Sequence, residues 1–187
     1  MRKVKEFFER KDYQNIINLY EEEIMMNNNI KFSDMNSESI YAIVFSLLYY
    51  NKYDDIDFMN IRLKKEKVFD YSYGFLFLCA FLKQADIHKA ISYIVSIDVF
   101  QSEEVLMIMG EDESSFMNIL KHDDVNKIPC LLLVALISSL SRIETYSIDD
   151  IMINYFEMLD IVYQSGCDMQ ITDYMMNITK VLFMSNN

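Results

Sequence analysis

Histidine and cysteine have the widest chemical range of the side chains in this sequence, and both are scarce. The 187 residues include two histidines and three cysteines. His122 precedes Asp123 and Asp124, and imidazole beside carboxylate is a ligand set that zinc accepts. No further ligand follows at a suitable spacing, so we expect no metal site. His122 is better placed to end a helix, where an imidazolium is stabilised by the helix dipole. We expect His88, beside a lysine, to lie on the surface.

The cysteines offer one candidate nucleophile and two core residues. Cys167 lies in a polar setting ahead of a predicted helix, whose dipole could lower the pKa of its thiol. A nucleophile also needs a base, and both histidines are distant in sequence. Cys79 and Cys130 lie in apolar runs, where a thiol behaves as a small hydrophobic group. Because the number is odd and the spacings are wide, we expect no disulfides and a reducing compartment.

Carboxylates are abundant enough for acid–base catalysis, but their arrangement is typical of solvated surface. The runs Glu21–Glu23 and Glu111–Glu113 lack the EF-hand spacing and its central glycine. The sequence contains no nucleophile elbow, Walker A loop or zinc-protease helix. We therefore predict no enzyme activity and no cofactor.

Negative charge is concentrated in the second half of the chain. Residues 1–97 carry 14 acids and 13 bases, whereas residues 98–187 carry 15 acids and 4 bases, within a formal net charge of −12. This distribution favours a protein partner with a basic surface. It disfavours nucleic acid and anionic membranes, which bind lysine and arginine. An acidic surface kept for solubility gives the same composition. The predicted binding residues are acids of the second half: Glu103, Glu104, Glu111, Asp112, Glu113, Asp123, Asp124, Asp149 and Asp150.

Composition and periodicity indicate an all-α protein. Only 3 Gly and 1 Pro are present, too few for the turns of a β-sandwich. From Tyr13, apolar residues recur on one helical face, and the same pattern begins again at Ser147. Ser147 with Asp150 resembles a capping box, and Gly166 is placed to end that helix. In addition to the segments from Tyr13 and Ser147, helices are predicted near 37–50, 55–69, 72–84, 86–97, 102–109, 114–122, 128–143 and 169–184.

Two of these segments are apolar almost all round, namely 74–82 and 130–137. A helix without a polar face must be surrounded by others, so we expect both to be central. Short buried strands are the alternative, but leucine, alanine, methionine and cysteine dilute the β-branched content. The tyrosine clusters Tyr49–Tyr50 and Tyr71/Tyr73 are candidates for a binding face.

One turn pattern occurs three times in the first half. Each copy has a polar turn and then an aromatic or aliphatic residue that opens a helix: Arg10–Ile16, Tyr50–Ile56 and Gln84–Ala90. This resembles the tetratricopeptide family, a helix–turn–helix unit repeated about every 34 residues. In that family the turn commonly contains Gly-Asp-Tyr, and a small residue follows three positions later. Lys11-Asp12-Tyr13 and Ala85-Asp86-Ile87 match the turn without its glycine. Ile16, Ile56 and Ala90 take the small-residue position.

The resemblance covers residues 1–100 and implies a right-handed array of antiparallel helical hairpins, a tetratricopeptide-like α-solenoid. We predict one all-α domain over 1–187 with about 9–10 helices, namely 1–100 as hairpins and 101–187 as an acidic helical part. A compact bundle remains the alternative arrangement. Hairpin arrays of this family bind peptides or protein faces, so the resemblance implies recognition and not catalysis.

Two functions fit these observations. The first is an immunity or inhibitor protein that neutralises a basic cognate toxin such as a nuclease, through the acids of the second half. The second is an adaptor or regulator that holds a peptide in a concave groove, through tyrosine and asparagine side chains of the first half. The N-terminus is polar, and the longest apolar stretch, Ile128–Leu140, contains a proline and is too short to span a bilayer. We therefore expect a cytoplasmic location.

Overall fold

The described part of the chain consists of helices joined by short turns and loops. A computed structural model describes residues 2–26 and 30–97, and beyond them positions 127, 130–131, 133–134, 136–137, 147, 149–150, 153–155 and 157. The α-helices are α1 (Arg2–Glu9), α2 (Tyr13–Leu19), α3 (Ser37–Tyr49), α4 (Tyr53–Glu66), α5 (Tyr71–Lys83) and α6 (Ile87–Val95). A π-helix over Tyr20–Met25 continues α2, and a 3-10 turn spans Phe32–Asp34. These described residues contain no β-strand, which confirms the all-α prediction.

The predicted helices near 37–50, 55–69, 72–84 and 86–97 are confirmed as α3 to α6, with ends displaced by up to three residues. The described residues between 130 and 137 are helical, as are 149–150, 153–155 and 157. The helices predicted near 102–109, 114–122 and 169–184 lie outside the described residues. The total of 9–10 helices and the single domain therefore stay predictions.

The chain divides into two compact units, Met1–Ala80 and Phe81–Asn187. In the first unit, α3 contacts α1, α2 and α4. Its side chains from Ile40 to Leu48 are buried except for that of Tyr41. Full burial of each leucine, isoleucine or phenylalanine stabilises the fold by about 1.5–3 kcal/mol. The core of this unit therefore forms around α3, a helix that the sequence analysis did not single out as central.

The apolar segments 74–82 and 130–137 are buried as expected. Every residue from Tyr73 to Leu82 of α5 is buried. The described members of the second segment are also buried, from Cys130 to Ile137. Burial of these apolar side chains is favoured by the hydrophobic effect. Cys79 and Cys130 are among the buried residues, as their apolar setting predicted.

The three repeated turns share one backbone geometry. The residues Lys11, Asn51 and Ala85 all adopt positive φ, at 58°, 56° and 56°. In each turn this residue's N–H donates to a carbonyl three positions back, and the next N–H donates to a carbonyl five positions back. This pair of bonds is a Schellman motif, which satisfies the last carbonyls of the preceding helix. The same motif ends α4, at Lys67 with φ 55°.

The helix after each turn begins in a related way. Asp12 accepts a hydrogen bond from Asn15 N–H at 3.4 Å, and Asp86 accepts one from Lys89 N–H at 2.9 Å. Lys52 takes the same position without a side-chain cap. The residues three positions after the opening residue of each helix are fully buried: Ile16, Ile56 and Ala90. The three segments therefore share the turn and the buried position, and two of them also share an aspartate cap.

Glycine is absent from these left-handed positions, and this predicts a stabilising substitution. A non-glycine residue in this left-handed conformation destabilises the folded state by roughly 1–2 kcal/mol. Glycine avoids that cost, but its more flexible unfolded state offsets part of the gain. We expect Ala85→Gly to raise the free energy of unfolding by about 0.5–1 kcal/mol. The matched control, Ala90→Gly inside α6, should lower it by about 1 kcal/mol. Urea unfolding measures both, and a loss of stability in Ala85→Gly would contradict the turn geometry.

Candidate protein-binding surfaces

The first candidate surface is a set of six aromatic rings in the first unit. The rings belong to Phe8, Tyr13, Tyr41, Phe45, Tyr49 and Tyr50, which we call the aromatic surface. Successive rings are in contact, with centroids 5.4 Å apart for Phe8 and Phe45, 4.9 Å for Tyr13 and Tyr49, and 5.2 Å for Tyr49 and Tyr50. Edge-to-face and tilted contacts at these distances contribute about 0.5–1.5 kcal/mol per pair beyond burial.

Helix geometry explains how these rings meet. Tyr41, Phe45 and Tyr49 are spaced four residues apart on α3 and so share one face. Phe8 lies near the end of α1, and Tyr13 opens α2 directly after the first repeated turn. An exposed ion pair between Lys5 Nζ and Glu38 Oε2, at 3.3 Å, also joins α1 to α3. The tight turn therefore sets the position of Tyr13 against α3.

The aromatic surface combines buried and exposed rings. Phe45 is buried, whereas Tyr49 is 44% exposed and Tyr50 is 43% exposed. Burial and the neighbouring Tyr49 phenol raise the pKa of Tyr13 above its ordinary value. Half-buried tyrosines are enriched at protein interfaces because they provide apolar area at low entropic cost. Tyr49 and Tyr50 are exposed, and their place on a binding face stays a prediction.

The second tyrosine pair behaves differently. Tyr71 is partly buried, and Tyr73 is 1% exposed, so the expectation that Tyr73 belongs to a binding face is wrong. Tyr73 packs in the core, where its ring meets Phe69 and Phe77 edge-on. Its hydroxyl has no hydrogen-bond partner in the part of the chain that the structure describes. The sequence pattern of apolar residues does not show that Tyr73 is buried, because α5 is apolar on every side.

We expect removal of the buried Tyr73 hydroxyl to stabilise the protein. An unsatisfied buried donor costs about 1–3 kcal/mol, so Tyr73→Phe should raise the free energy of unfolding by about 1 kcal/mol. Tyr20 provides a matched control, since it is equally buried and donates its hydroxyl to Met25 Sδ at 3.3 Å. We expect Tyr20→Phe to lose about 0.5–1 kcal/mol. Chemical denaturation tests both, and equal losses would show that the two hydroxyls are equally satisfied.

The second candidate surface contains the only two predicted binding acids that fall within the described residues, Asp149 and Asp150. Both are exposed. The other predicted acids lie outside the described residues: Glu103, Glu104, Glu111, Asp112, Glu113, Asp123 and Asp124. The structure thus brings together Asp149 and Asp150 on one helix and leaves the position of the others a prediction.

The predicted capping box at the start of this helix is confirmed. Asp150 N–H donates to Ser147 Oγ at 3.2 Å, while Ser147 N–H and Oγ–H donate to Asp150 Oδ2 at 2.7 and 2.8 Å. These bonds from Ser147 hold the pKa of Asp150 below its ordinary value of 3.8. Asp150 is therefore ionised at neutral pH and also has a structural role, whereas Asp149 is free of the box.

Helical spacing extends the acidic surface along the same helix. Asp149, Ile153 and Glu157 follow one another at intervals of four residues and are all exposed, while Tyr155 on the opposite side is fully buried. We call Asp149, Asp150, Ile153 and Glu157 the acidic helix face. The sequence analysis missed Ile153 and Glu157, although their spacing from Asp149 is visible in the sequence.

The capping box predicts a pH-dependent loss of stability. Ser147→Ala removes one cap acceptor and should cost about 1 kcal/mol at pH 7. Because the pKa of Asp150 is lowered by folding, its contribution is present above pH 4 and is lost as the pH falls below 3.8. The difference in stability between wild type and Ser147→Ala should therefore be smaller at pH 3 than at pH 7. Thermal unfolding of both proteins at the two pH values measures this difference, and a difference in stability that does not change with pH would contradict the capping box.

The histidine and cysteine side chains that could take part in catalysis or bind a metal lie partly outside the described residues. His88 is exposed, as expected. Cys167 and His122 lie outside the described residues. Among those described, no group of three or more His, Cys, Asp or Glu side chains could hold a metal ion. None of the described helices has the length and apolarity needed to cross a membrane.

Comparison with known proteins gives no relative for this chain. No protein-family model, no curated protein and no solved structure matches it.

Proposed function

We propose that this chain is a protein-binding protein whose partner presents a basic surface. In its most concrete form, it is an immunity protein that neutralises a basic toxin such as a nuclease. The observation that carries the proposal is the exposed pair Asp149 and Asp150, in the half of the sequence with 15 acids and 4 bases. The hydrogen bonds from Ser147 lower the pKa of Asp150 below its ordinary value.

The mechanism is electrostatic occlusion. A nuclease needs a basic surface to hold phosphate, and an acidic helical surface competes for that surface directly. Opposite potentials also speed encounter, which suits an inhibitor that must bind before the toxin acts. The proposal includes no catalytic step and no cofactor. It places the protein in the cytoplasm, where cysteines such as Cys79 and Cys130 remain reduced.

The proposed frame is an array of helical hairpins similar to tetratricopeptide repeats. Support comes from the shared Schellman turns at Lys11, Asn51 and Ala85. Further support comes from α3, which contacts both helices of the preceding pair, α1 and α2, as well as its own partner α4. Stacked hairpins bury one face against the next and leave the first helices of the pairs to line a common surface.

A second function is favoured by the aromatic surface. Its rings lie largely on α1 and α3, the first helices of two successive pairs, and two of its tyrosines are more than 40% exposed. An adaptor that holds a peptide segment would use these rings as anchors. In this case the acids of the second half would serve for solubility alone.

One experiment separates the two functions. If the neighbouring reading frame encodes a basic nuclease, that protein is the probe, and its affinity for the purified chain is measured by calorimetry at two salt concentrations. Under the immunity proposal, the combined change Glu103→Lys, Glu104→Lys and Asp149→Lys should weaken binding more than tenfold and flatten its salt dependence. Asp54→Lys, an exposed acid of α4, is the matched control and should change affinity less than twofold.

The aromatic variants complete the test. The double change Tyr49→Ala and Tyr50→Ala should leave toxin binding within twofold if the acids carry it. Loss of binding in this variant, with the charge variants unaffected, would favour the adaptor function instead. Binding that none of these variants alters would contradict both functions.

A further inference from the structure

The hydroxyl of Tyr20 and the thioether of Met25 meet across the π-helix that continues α2. Tyr20 is 1% exposed, and its hydroxyl donates to Met25 Sδ at 3.3 Å. Met25 is 39% exposed, so the pair lies where the core of the first unit meets solvent. A thioether sulfur is a weak acceptor with two lone pairs. The Tyr20 hydroxyl engages one of these lone pairs, and the other takes no part in this bond.

The π-helix is what brings the two side chains together. In an α-helix, residues five positions apart point about 140° apart around the axis. A π-helix turns less per residue, and its backbone hydrogen bonds join residues five positions apart. Met26 N–H donates such a bond to the Glu21 carbonyl at 3.1 Å. The Tyr20–Met25 bond and this backbone bond therefore span the same turn, and we expect loss of the first to weaken the second.

The exposed thioether is a substrate for peroxide. In the reaction, a sulfur lone pair attacks one oxygen of hydrogen peroxide, an S–O bond forms and the O–O bond breaks. The proton of the transferred oxygen passes to the departing oxygen, which leaves as water. Sulfur is oxidised by two electrons, the peroxide is reduced by two, and the product is a polar, chiral sulfoxide.

The bond from Tyr20 determines the outcome at sulfur. The 3.3 Å between the Tyr20 oxygen and Met25 Sδ leaves no room for another oxygen between them. The added oxygen therefore takes the lone pair that does not face Tyr20, which selects one sulfoxide epimer. Oxidised sulfur is electron-poor and no longer accepts from the phenol. The Tyr20 hydroxyl then stays buried without its acceptor, which destabilises the folded state.

We propose that Met25 is a peroxide-sensitive modification site, at which oxidation to the sulfoxide breaks the bond from Tyr20 and loosens the π-helix. Methionine sulfoxide reductases reverse this oxidation, so the change is a switch and not only damage. The modification requires neither of the proposed binding functions. Met26 provides a comparison within the chain, since it is 79% exposed and the Tyr20 hydroxyl is directed at its neighbour.

The first experiment tests the geometry at sulfur. The full chain is treated with a low dose of hydrogen peroxide, and peptide mass spectrometry follows oxidation at Met25 and Met26. The two epimer-specific reductases then show which sulfoxide each position carries. Met25 should give one epimer in about fivefold excess or more, whereas Met26 should give similar amounts of both. Tyr20→Phe should reduce the excess at Met25 to about twofold or less.

Three results of this experiment would overturn the proposal. These are a Met25 that peroxide does not oxidise, an equal mixture of epimers at Met25 in wild type, and an epimer excess that Tyr20→Phe leaves unchanged.

The second experiment measures the effect on the fold. Met25→Leu, treated identically, gives the effect of peroxide at every other position of the chain. Beyond that effect, oxidation of wild type should lower the thermal unfolding midpoint by about 2–4 °C, as expected for one hydrogen bond lost in a chain of this size. Met26→Leu should respond as wild type does. Tyr20→Phe should show less than half of the shift, because its Met25 has no hydroxyl bond to lose.

Hydrogen exchange locates the change. The Met26 amide should exchange about threefold faster or more after oxidation, whereas amides inside α3, such as that of Leu48, should keep their rates. Reductase treatment should restore both the midpoint and the exchange rate. Equal midpoint shifts in wild type and Met25→Leu, or an unchanged Met26 amide in the oxidised chain, would show that Met25 does not control this turn.

Discussion

The apolar surface of α3 must be covered on nearly every side, and the first unit depends on meeting that requirement. Its side chains between Ile40 and Leu48 leave only Tyr41 partly accessible. Three helices, α1, α2 and α4, contact it. At about 25 cal/mol per Å² of apolar surface removed from water, this burial dominates over the surface ion pairs. The aromatic surface includes Tyr41 and Tyr49 because both lie where this coverage ends.

To pack against a central helix, consecutive helices must reverse the direction of the chain sharply, and the Schellman turns provide these reversals. Each turn uses a non-glycine residue at positive φ, namely Lys11, Asn51 or Ala85. The left-handed residue and the capping aspartates Asp12 and Asp86 satisfy the helix ends at the cost of local backbone strain. The shared geometry, and not shared side chains, is what makes the three segments alike.

The aromatic surface and the exposed carboxylates lie in different parts of the chain. The first unit has nearly balanced charge and presents aromatic rings, whereas the helix that begins after Ser147 presents carboxylates around Ile153. Asp150 links the two effects, since the same carboxylate caps its helix and contributes to the acidic helix face. A capping acid is held in place and stays ionised. Such an acid is a better element of a fixed electrostatic surface than a freely rotating one.

The sequence by itself determined the helical class, the positions of α3 to α6, the burial of segment 74–82 and the capping box of Ser147 and Asp150. These follow from local patterns, because helix periodicity, scarcity of breakers and cap spacing act over a few residues. Tertiary structure alone decided that α3 is central, that Phe8 and Tyr13 meet the rings of α3, and that Tyr73 is buried with Tyr49 exposed. Neighbouring tyrosines look alike in sequence, and only contacts between helices distant along the chain determine which face is covered.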